Sequence, residues 1–304
     1  MGAFRDLLET GRTIILDGAM GTELQSRGCD TSLPLWSARA LVDRPDVVRH
    51  IHIDNIDCGA DIITTNSFRT QKRTFQKADY HYNDLSFEET AKELTATSVD
   101  LAKDAVMIAA EENEVLAAGC IAPLEDSYKP DLAPDMDSLC TEHYEHIKNL
   151  VDSGADMLLA ETLTNIREIS AVLNQLHKFK LDYAISFNPR NQTELLSGEL
   201  ISDAVKIIDK YSPSAIMVNC IHPSLVEPVL NHLNTLTDKP LGAYANIGDP
   251  NYKEGDEIKA TVTPDEYLAY ARKWKQAGAR IIGGCCGTSP LYIRKLNVLK
   301  TEKK

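Results

Sequence analysis

Eight short apolar runs, each followed by a stretch of helical periodicity, recur from one end of the chain to the other. That alternation limits the fold more than any other feature of the sequence. The candidate strands are Thr13–Met20, Asp61–Phe68, Val115–Pro123, Met157–Leu163, Tyr183–Pro189, Ala215–Pro223, Leu241–Gly248 and Arg280–Gly287. Between them, Pro45–Cys58 opens on a proline, Phe87–Glu112 is long and amphipathic, and Ser138–Ser153 follows a capping-type Asp137. Helices Asn165–Lys178, Ser202–Lys210, Ser224–Asn234, Thr263–Ala277 and Pro290–Lys300 complete the set. Eight such units predict an α/β fold closed as a (β/α)8 TIM barrel, and a doubly wound open sheet satisfies the same alternation. At 304 residues the chain has the length of one barrel, so residues 1–304 are expected to form a single domain.

An internal echo accompanies the alternation. Cys58-Gly59-Ala60-Asp61-Ile62-Ile63, Ser153-Gly154-Ala155-Asp156-Met157-Leu158 and Ala277-Gly278-Ala279-Arg280-Ile281-Ile282 each place a helix-ending glycine just before a strand. Duplication produces such a pattern, and so does any αβ unit that ends its helix in this way. The longest irregular insertions, Lys129–Asp137 and Asp249–Glu257, follow strands three and seven. Both are expected on the face of the barrel where substrate loops sit.

The polar residues that stand out fall at the carboxyl ends of the strands. Gly283-Gly284-Cys285-Cys286-Gly287-Thr288 ends the last strand, and Val218-Asn219-Cys220 ends the sixth. Adjacent cysteines seldom bridge each other, because the ring so closed is strained. Thiols at a strand end therefore suggest a soft metal ion, although small residues also pack where a strand meets a helix. Three thiolates on zinc leave one tetrahedral position open, the pattern of a catalytic site. Asp17, Asn66, Glu161, Asn188 and Asn246 fall at the ends of strands one, two, four, five and seven, and Asn219 precedes Cys220 at the end of strand six. An Asp or Asn in that place often caps the next helix instead. Asp17-Gly18-Ala19-Met20-Gly21 suggests close backbone approach to a ligand, yet its spacing is wrong for a dinucleotide fingerprint.

These motifs resemble the homocysteine S-methyltransferase family. The resemblance rests on Leu16-Asp17-Gly18-Ala19-Met20-Gly21-Thr22-Glu23-Leu24, Thr64-Thr65-Asn66-Ser67-Phe68, Glu161-Thr162, Asn219-Cys220 and the double-cysteine string, in order over nearly the whole chain. It implies a barrel whose Zn2+ is held by Cys220, Cys285 and Cys286, and it implies that Asp17 and Glu161 bind the amino-acid end of homocysteine. Asn246, in Tyr244-Ala245-Asn246, matches a Tyr-Pro-Asn element of the family. Asp17, Gly18, Asn66, Glu161, Asn219 and Asn246 are accordingly the expected substrate-binding set. The implied reaction moves a methyl group from a small cationic donor to the thiolate of homocysteine, giving methionine.

Donor identity is where the chain departs from the family. Gly119-Cys120-Ile121-Ala122-Pro123 stands where a Gly-Pro pair is common, and Ala245 replaces the proline of Tyr-Pro-Asn. A stand-alone barrel favours S-methylmethionine or S-adenosylmethionine, with betaine, dimethylsulfoniopropionate or another thiol acceptor as alternatives. Trp36 and Tyr128 are candidates to face the cationic methyl through their rings, though Trp36 also suits packing an entry loop onto the rim. Cys29, Cys58, Cys120 and Cys140 lack a matching context, and only Cys120 is expected near the mouth. A metal-activated water would call for histidine and carboxylate ligands, and the chain has no His-x-x-x-His pair. A non-catalytic zinc-binding barrel is the reading from another class.

Composition narrows the partners. A formal charge of −13 opposes binding to nucleic acid or to an anionic membrane surface. No apolar run approaches the roughly 18–20 residues of a membrane span, and the charged first twelve residues hold no signal-peptide core. Seven scattered cysteines do not form a secreted disulfide framework. The expectation is a cytoplasmic protein, a monomer or small homo-oligomer.

Overall fold

The computed structural model describes residues 2–110, 114–248 and 260–302. Eight parallel strands carry the fold: β1 (Ile14–Ile15), β2 (Ile62–Thr64), β3 (Leu116–Ile121), β4 (Met157–Leu163), β5 (Tyr183–Phe187), β6 (Ala215–Asn219), β7 (Leu241–Ala245) and β8 (Ala279–Gly284). They pair in the order β1-β8-β7-β6-β5-β4-β3-β2, and a parallel bridge between Leu16 and Ile62 joins the two ends. The arrangement is a (β/α)8 TIM barrel rather than an open sheet.

Among the described residues, twelve α-helices interleave with the strands: α1 (Ala3–Glu9), α2 (Met20–Ser26), α3 (Ala40–Asp43), α4 (Pro45–Asp57), α5 (Lys72–Ala78), α6 (Phe87–Ala109), α7 (Met136–Asp152), α8 (Ile166–Leu176), α9 (Ile201–Ile208), α10 (Pro223–Leu233), α11 (Pro264–Gln276) and α12 (Pro290–Leu296). None of the described helices is long and apolar enough to cross a membrane. The strand period of two sorts the apolar side chains into two layers. Ile14, Leu16, Ile62, Leu116, Ala118, Met157, Leu159, Ala184, Ala215, Met217 and Ile281 fill the barrel, and Phe4, Leu7 and Leu8 of α1 join them. Their strand neighbours Ile15, Ile63, Ala117, Leu158, Ile185, Ile216, Val218, Ala243 and Ile282 pack outward with the helices.

Several boundaries differ from the sequence expectation. Strand one was expected to reach Met20, but the ladder stops at Ile15 and Met20 already begins α2. The seventh-helix cap is Asp135, whose carboxylate accepts from Ser138 N; Asp137 lies inside the first turn. Glu111 and Glu112, expected to end α6, and the Asp249–Glu257 loop lie outside the described residues.

The glycine echo has a common structural content. Gly59, Gly154 and Gly278 all adopt positive φ, at 101°, 85° and 97°, a conformation that only glycine takes without strain. The aspartates that follow in two of the copies do the same job. Asp61 N donates to Ile15 O while its carboxylate accepts from Ile15 N, and Asp156 repeats both bonds with Ala117. Arg12 forks onto Asp61 at 2.8 Å to each oxygen, and Lys300 adds a second cation. Asp61→Ala would leave the Ile15 amide unpaired and two cations without their anion. It should cost about 3 kcal/mol, read as a lower urea midpoint at unchanged m.

Candidate active site

The period that fills the barrel also aims its upper residues inward. Beyond Ile62 it reaches Thr64 and Asn66; beyond Ala118, Cys120; beyond Leu159, Glu161; beyond Ala184, Ser186; and beyond Met217, Asn219. Leu16, Asp17, Gly18, Thr64, Asn66, Cys120, Glu161, Tyr244 and the three cysteines Cys220, Cys285 and Cys286 line one cavity at this end of the barrel. Trp36, Phe68 and Tyr128 form an aromatic side of the same cavity. The glycines of the last strand let β1 approach: a Cβ at Gly283 would sit 2.6 Å from Leu16 Cβ and 3.1 Å from Asp17 O.

Cys220, Cys285 and Cys286 bring their sulfurs within 4.8 Å of one another. Cys286 Sγ lies 3.7 Å from Cys220 Sγ and 4.0 Å from Cys285 Sγ, and all three thiols are free. Four sulfurs at the ~2.3 Å Zn–S distance on a tetrahedron stand about 3.8 Å apart. The thiol donor set and its spacing therefore fit a zinc-sized soft cation with one position open. Cys220 takes its place through a left-handed backbone (φ 58°), while its N donates to Tyr244 O. The Tyr128 hydroxyl lies 3.1 Å from Cys220 Sγ. Hydrogen bonds from Cys285, Cys286, Tyr128 and Asn246 pull the Cys220 thiol well below its usual range. Hydrogen bonding to Cys220, together with burial, pushes both Cys285 and Cys286 up; Cys286 raises Cys285 further, while Cys285 partly offsets the rise at Cys286.

Two carboxylates lie in the same cavity. Asp17 Oδ2 accepts from Thr64 N at 2.7 Å and Oδ1 from Thr64 Oγ1 at 2.9 Å. Burial raises Asp17 to about 8 against those bonds, with Glu161 adding repulsion. Glu161 is partly accessible through the cavity, but desolvation still lifts it to about 7. Its oxygens accept from Cys120 Sγ at 2.9 Å and the Tyr244 hydroxyl at 3.2 Å. Among the described residues neither carboxylate has a Lys or Arg partner, so the pair is suited to a ligand cation.

Other expected residues take different places. Asn219 lies beneath the cavity with no exposed surface. Its Oδ1 accepts from Thr162 N at 3.0 Å and Ser186 Oγ at 2.7 Å, and its Nδ2 donates to Thr162 Oγ1 at 2.7 Å. Thr162 is left-handed (φ 58°) in the irregularity where β4 slips register between Ala160 and Leu163. Direct ligand contact by Asn219 is thus corrected to support of the bulge that presents Glu161. The glycines after Asp17 approach protein groups: Gly18 lies against Thr288 and Asn55, and a Cβ at Gly21 would meet the Trp36 ring at 2.3 Å. Trp36 packs on the rim edge-on to Phe68 while facing the cavity. Asn66 Nδ2 donates to Ser37 O, leaving Oδ1 without a partner. Asn246 Oδ1 accepts from Gly248 N at 2.7 Å, and its side chain reaches Cys220. Asn188 hydrogen-bonds the Cys220 carbonyl at 3.4 Å. Cys120, an isolated cysteine in the sequence, bonds directly to Glu161; only its inward strand phase pointed there.

At the carboxyl mouth of the barrel, three convergent thiols able to hold a metal ion share a cavity with a carboxylate pair, the arrangement of an enzyme site. Residues 14–299 match the family described as homocysteine S-methyltransferase. The chain is 32% identical to homocysteine S-methyltransferase YbgG of Bacillus subtilis, covering 97% of each chain. It is 34% identical to the homocysteine S-methyltransferase of Escherichia coli, covering 96% of each. The metallated form of the homocysteine methyltransferase MmuM from Escherichia coli superposes with a TM-score of 0.84 at 32% identity, over 97% of this chain and 99% of that one. The chain belongs to the homocysteine S-methyltransferase family, methyltransferases with homocysteine as acceptor.

Two tests follow from the site geometry. Asn219→Ala leaves Thr162 N and Ser186 Oγ without their acceptor and should cost about 1–3 kcal/mol, with metal stoichiometry retained; loss of the metal instead would assign Asn219 to the thiol cluster. Asp17 and Glu161 titrate near 4 when unfolded but hold their protons to about 8 and about 7 in the fold. Between those values the native state carries more protons, so stability falls as pH rises. Asp17→Asn should thus gain on the order of 2 kcal/mol relative to the unsubstituted, ligand-free protein between about pH 5.5 and about pH 8. Urea midpoints at the two pH values check the sign.

Proposed function

We propose that this protein transfers a methyl group from a sulfonium donor, S-methylmethionine or S-adenosylmethionine, to the sulfur of homocysteine, with Cys220, Cys285 and Cys286 holding Zn2+. One observation carries the reading: a three-thiol cluster and a carboxylate pair, which has no Lys or Arg partner among the described residues, share a single cavity. When bound, the ion supplies a Lewis acid that keeps an added sulfur ligand deprotonated at neutral pH. The remaining work falls to the protein.

Asp17 and Glu161 accept the ammonium of homocysteine. A cation between them restores the ionised state that burial opposes, so binding gains charge-assisted hydrogen bonds in a site shielded from water. Tyr128 and Asn246 donate toward Cys220 and fix its sulfur. Gly18, Asn66 and the Trp36–Phe68 rings shape the space left for the donor, and the rings favour a cationic methyl group over a neutral one. The homocysteine thiol proton leaves to solvent. Its sulfur then forms a bond to the methyl carbon as the bond from that carbon to the donor sulfur breaks. The electron pair leaves on the donor, giving methionine and a neutral thioether. A thioether is a weaker base than an amine, which favours a sulfonium over a quaternary ammonium. The displacement needs no general base at the donor, and its rate depends on alignment.

Methionine formation by reduced, zinc-loaded protein tests this across S-methylmethionine, S-adenosylmethionine, dimethylsulfoniopropionate, betaine and methyltetrahydrofolate. Turnover is expected with a sulfonium, falling more than about a hundredfold in Cys285→Ser, beyond the usual cost of losing a ligand's supporting partner. No turnover with any donor at stoichiometric zinc would overturn the proposal.

A further inference from the structure

Cys120 is a buried thiol that neither the metal cluster nor the methyl transfer uses. Its backbone is held from three sides. Cys120 N donates to Thr65 Oγ1 at 3.1 Å, and Cys120 O accepts from Ser67 Oγ at 2.9 Å and from His146 Nε2 at 3.1 Å. Thr65 and Ser67 are bonded to each other at 2.8 Å. The side chain, at 1% exposure, therefore has little freedom, and its sulfur meets Glu161 Oε1 at 2.9 Å.

The direction of that bond follows from its surroundings. Burial, Glu161 and Asp17 all push the Cys120 thiol well above its usual range, so it keeps its proton and donates. Tyr244 does the same for Oε2, its hydroxyl likewise held protonated by burial. Glu161 is thus gripped at both oxygens by neutral donors. Its unused lone pairs remain available toward the cavity, through which it is partly accessible. A carboxylate fixed in this way is oriented before a ligand arrives, and less ordering is left for binding to supply.

We propose that Cys120 is a positioning residue, whose thiol aims Glu161 at the ammonium group of the amino-acid acceptor. The inference rests on the acceptor reading above. It also makes Cys120 a determinant of selectivity for thiols that carry an α-amino group, because a thiol lacking one has nothing for Glu161 to hold.

The test compares homocysteine with 4-mercaptobutyrate, the same chain without its amino group, binding to zinc-loaded protein by calorimetry. In Cys120→Ala the homocysteine Kd should rise about tenfold or more, the usual weight of a hydrogen bond to a charged group. The 4-mercaptobutyrate Kd should stay within about threefold. Cys120→Ser keeps a donor and should recover most of the homocysteine affinity. Zinc content and thermal unfolding of each variant show whether the fold survives, and Cys120→Ser supplies the comparison if the alanine variant does not fold. Equal weakening for both thiols, or no weakening for either, would overturn the role of Cys120. Failure of the unsubstituted protein to bind homocysteine would instead defeat the acceptor reading.

Discussion

The closure between β1 and β2 is the interaction on which the rest of the structure depends. Everywhere else two or more residue pairs join neighbouring strands, whereas here a single bridge does so. Two aspartates make up the difference from opposite ends. Asp61 takes the amide of Ile15 at the lower end, and Asp17 takes the amide of Thr64 at the upper end. Buried amides need such partners, and a carboxylate is a strong one. The two differ in what balances them. Arg12 and Lys300 keep Asp61 company, so the lower seam is complete in itself. Among the described residues Asp17 has no cation. The upper seam is closed by a group that a bound cation would stabilise, and the site thereby grows out of the fold's weakest join.

The inward phase of the strands explains how much of this was legible in the sequence. Glu161, Asn66, Asn219 and Cys285 fall on the barrel-filling period, so eight strands in register already place them at one mouth. Asp17 and Cys220 do not follow that period. Asp17 is one step beyond inward-facing Leu16, and it reaches the cavity because the chain leaves the ladder after β1. Cys220 is one step beyond Asn219, and a left-handed backbone supplies the turn. Nothing in residue type announces positive φ at a cysteine, so what joined Cys220 to the pair at 285 and 286 was its place at a strand end together with the family resemblance, not its strand phase. The same limit explains why Asn219 looked like a ligand group: its neighbour is in the cavity, and the strand period hides that the asparagine itself is spent on Thr162. The end of strand one was overextended because apolar and small residues run on from Ile15 to Met20, where helix α2 takes over.

Strain and support concentrate at the same strand ends. Left-handed non-glycine residues cost on the order of 1–3 kcal/mol each, and two of them, Thr162 and Cys220, adjoin the groups that face the cavity. Each is held by several bonds: Thr162 by Asn219, and Cys220 by Tyr244 O and Asn188. Asn219 and Cys220 are consecutive, so the end of β6 supports the bulge that presents Glu161 and also carries one sulfur of the cluster. Tyr244 repeats the linkage from β7, giving its hydroxyl to Glu161 and its carbonyl to Cys220 N. The spacing between carboxylate and sulfur is therefore set by two adjacent strands of the sheet rather than by loops. Any shift of β6 against β7 would disturb both ends of that spacing together, which is why the sheet of the barrel carries the geometry of the site.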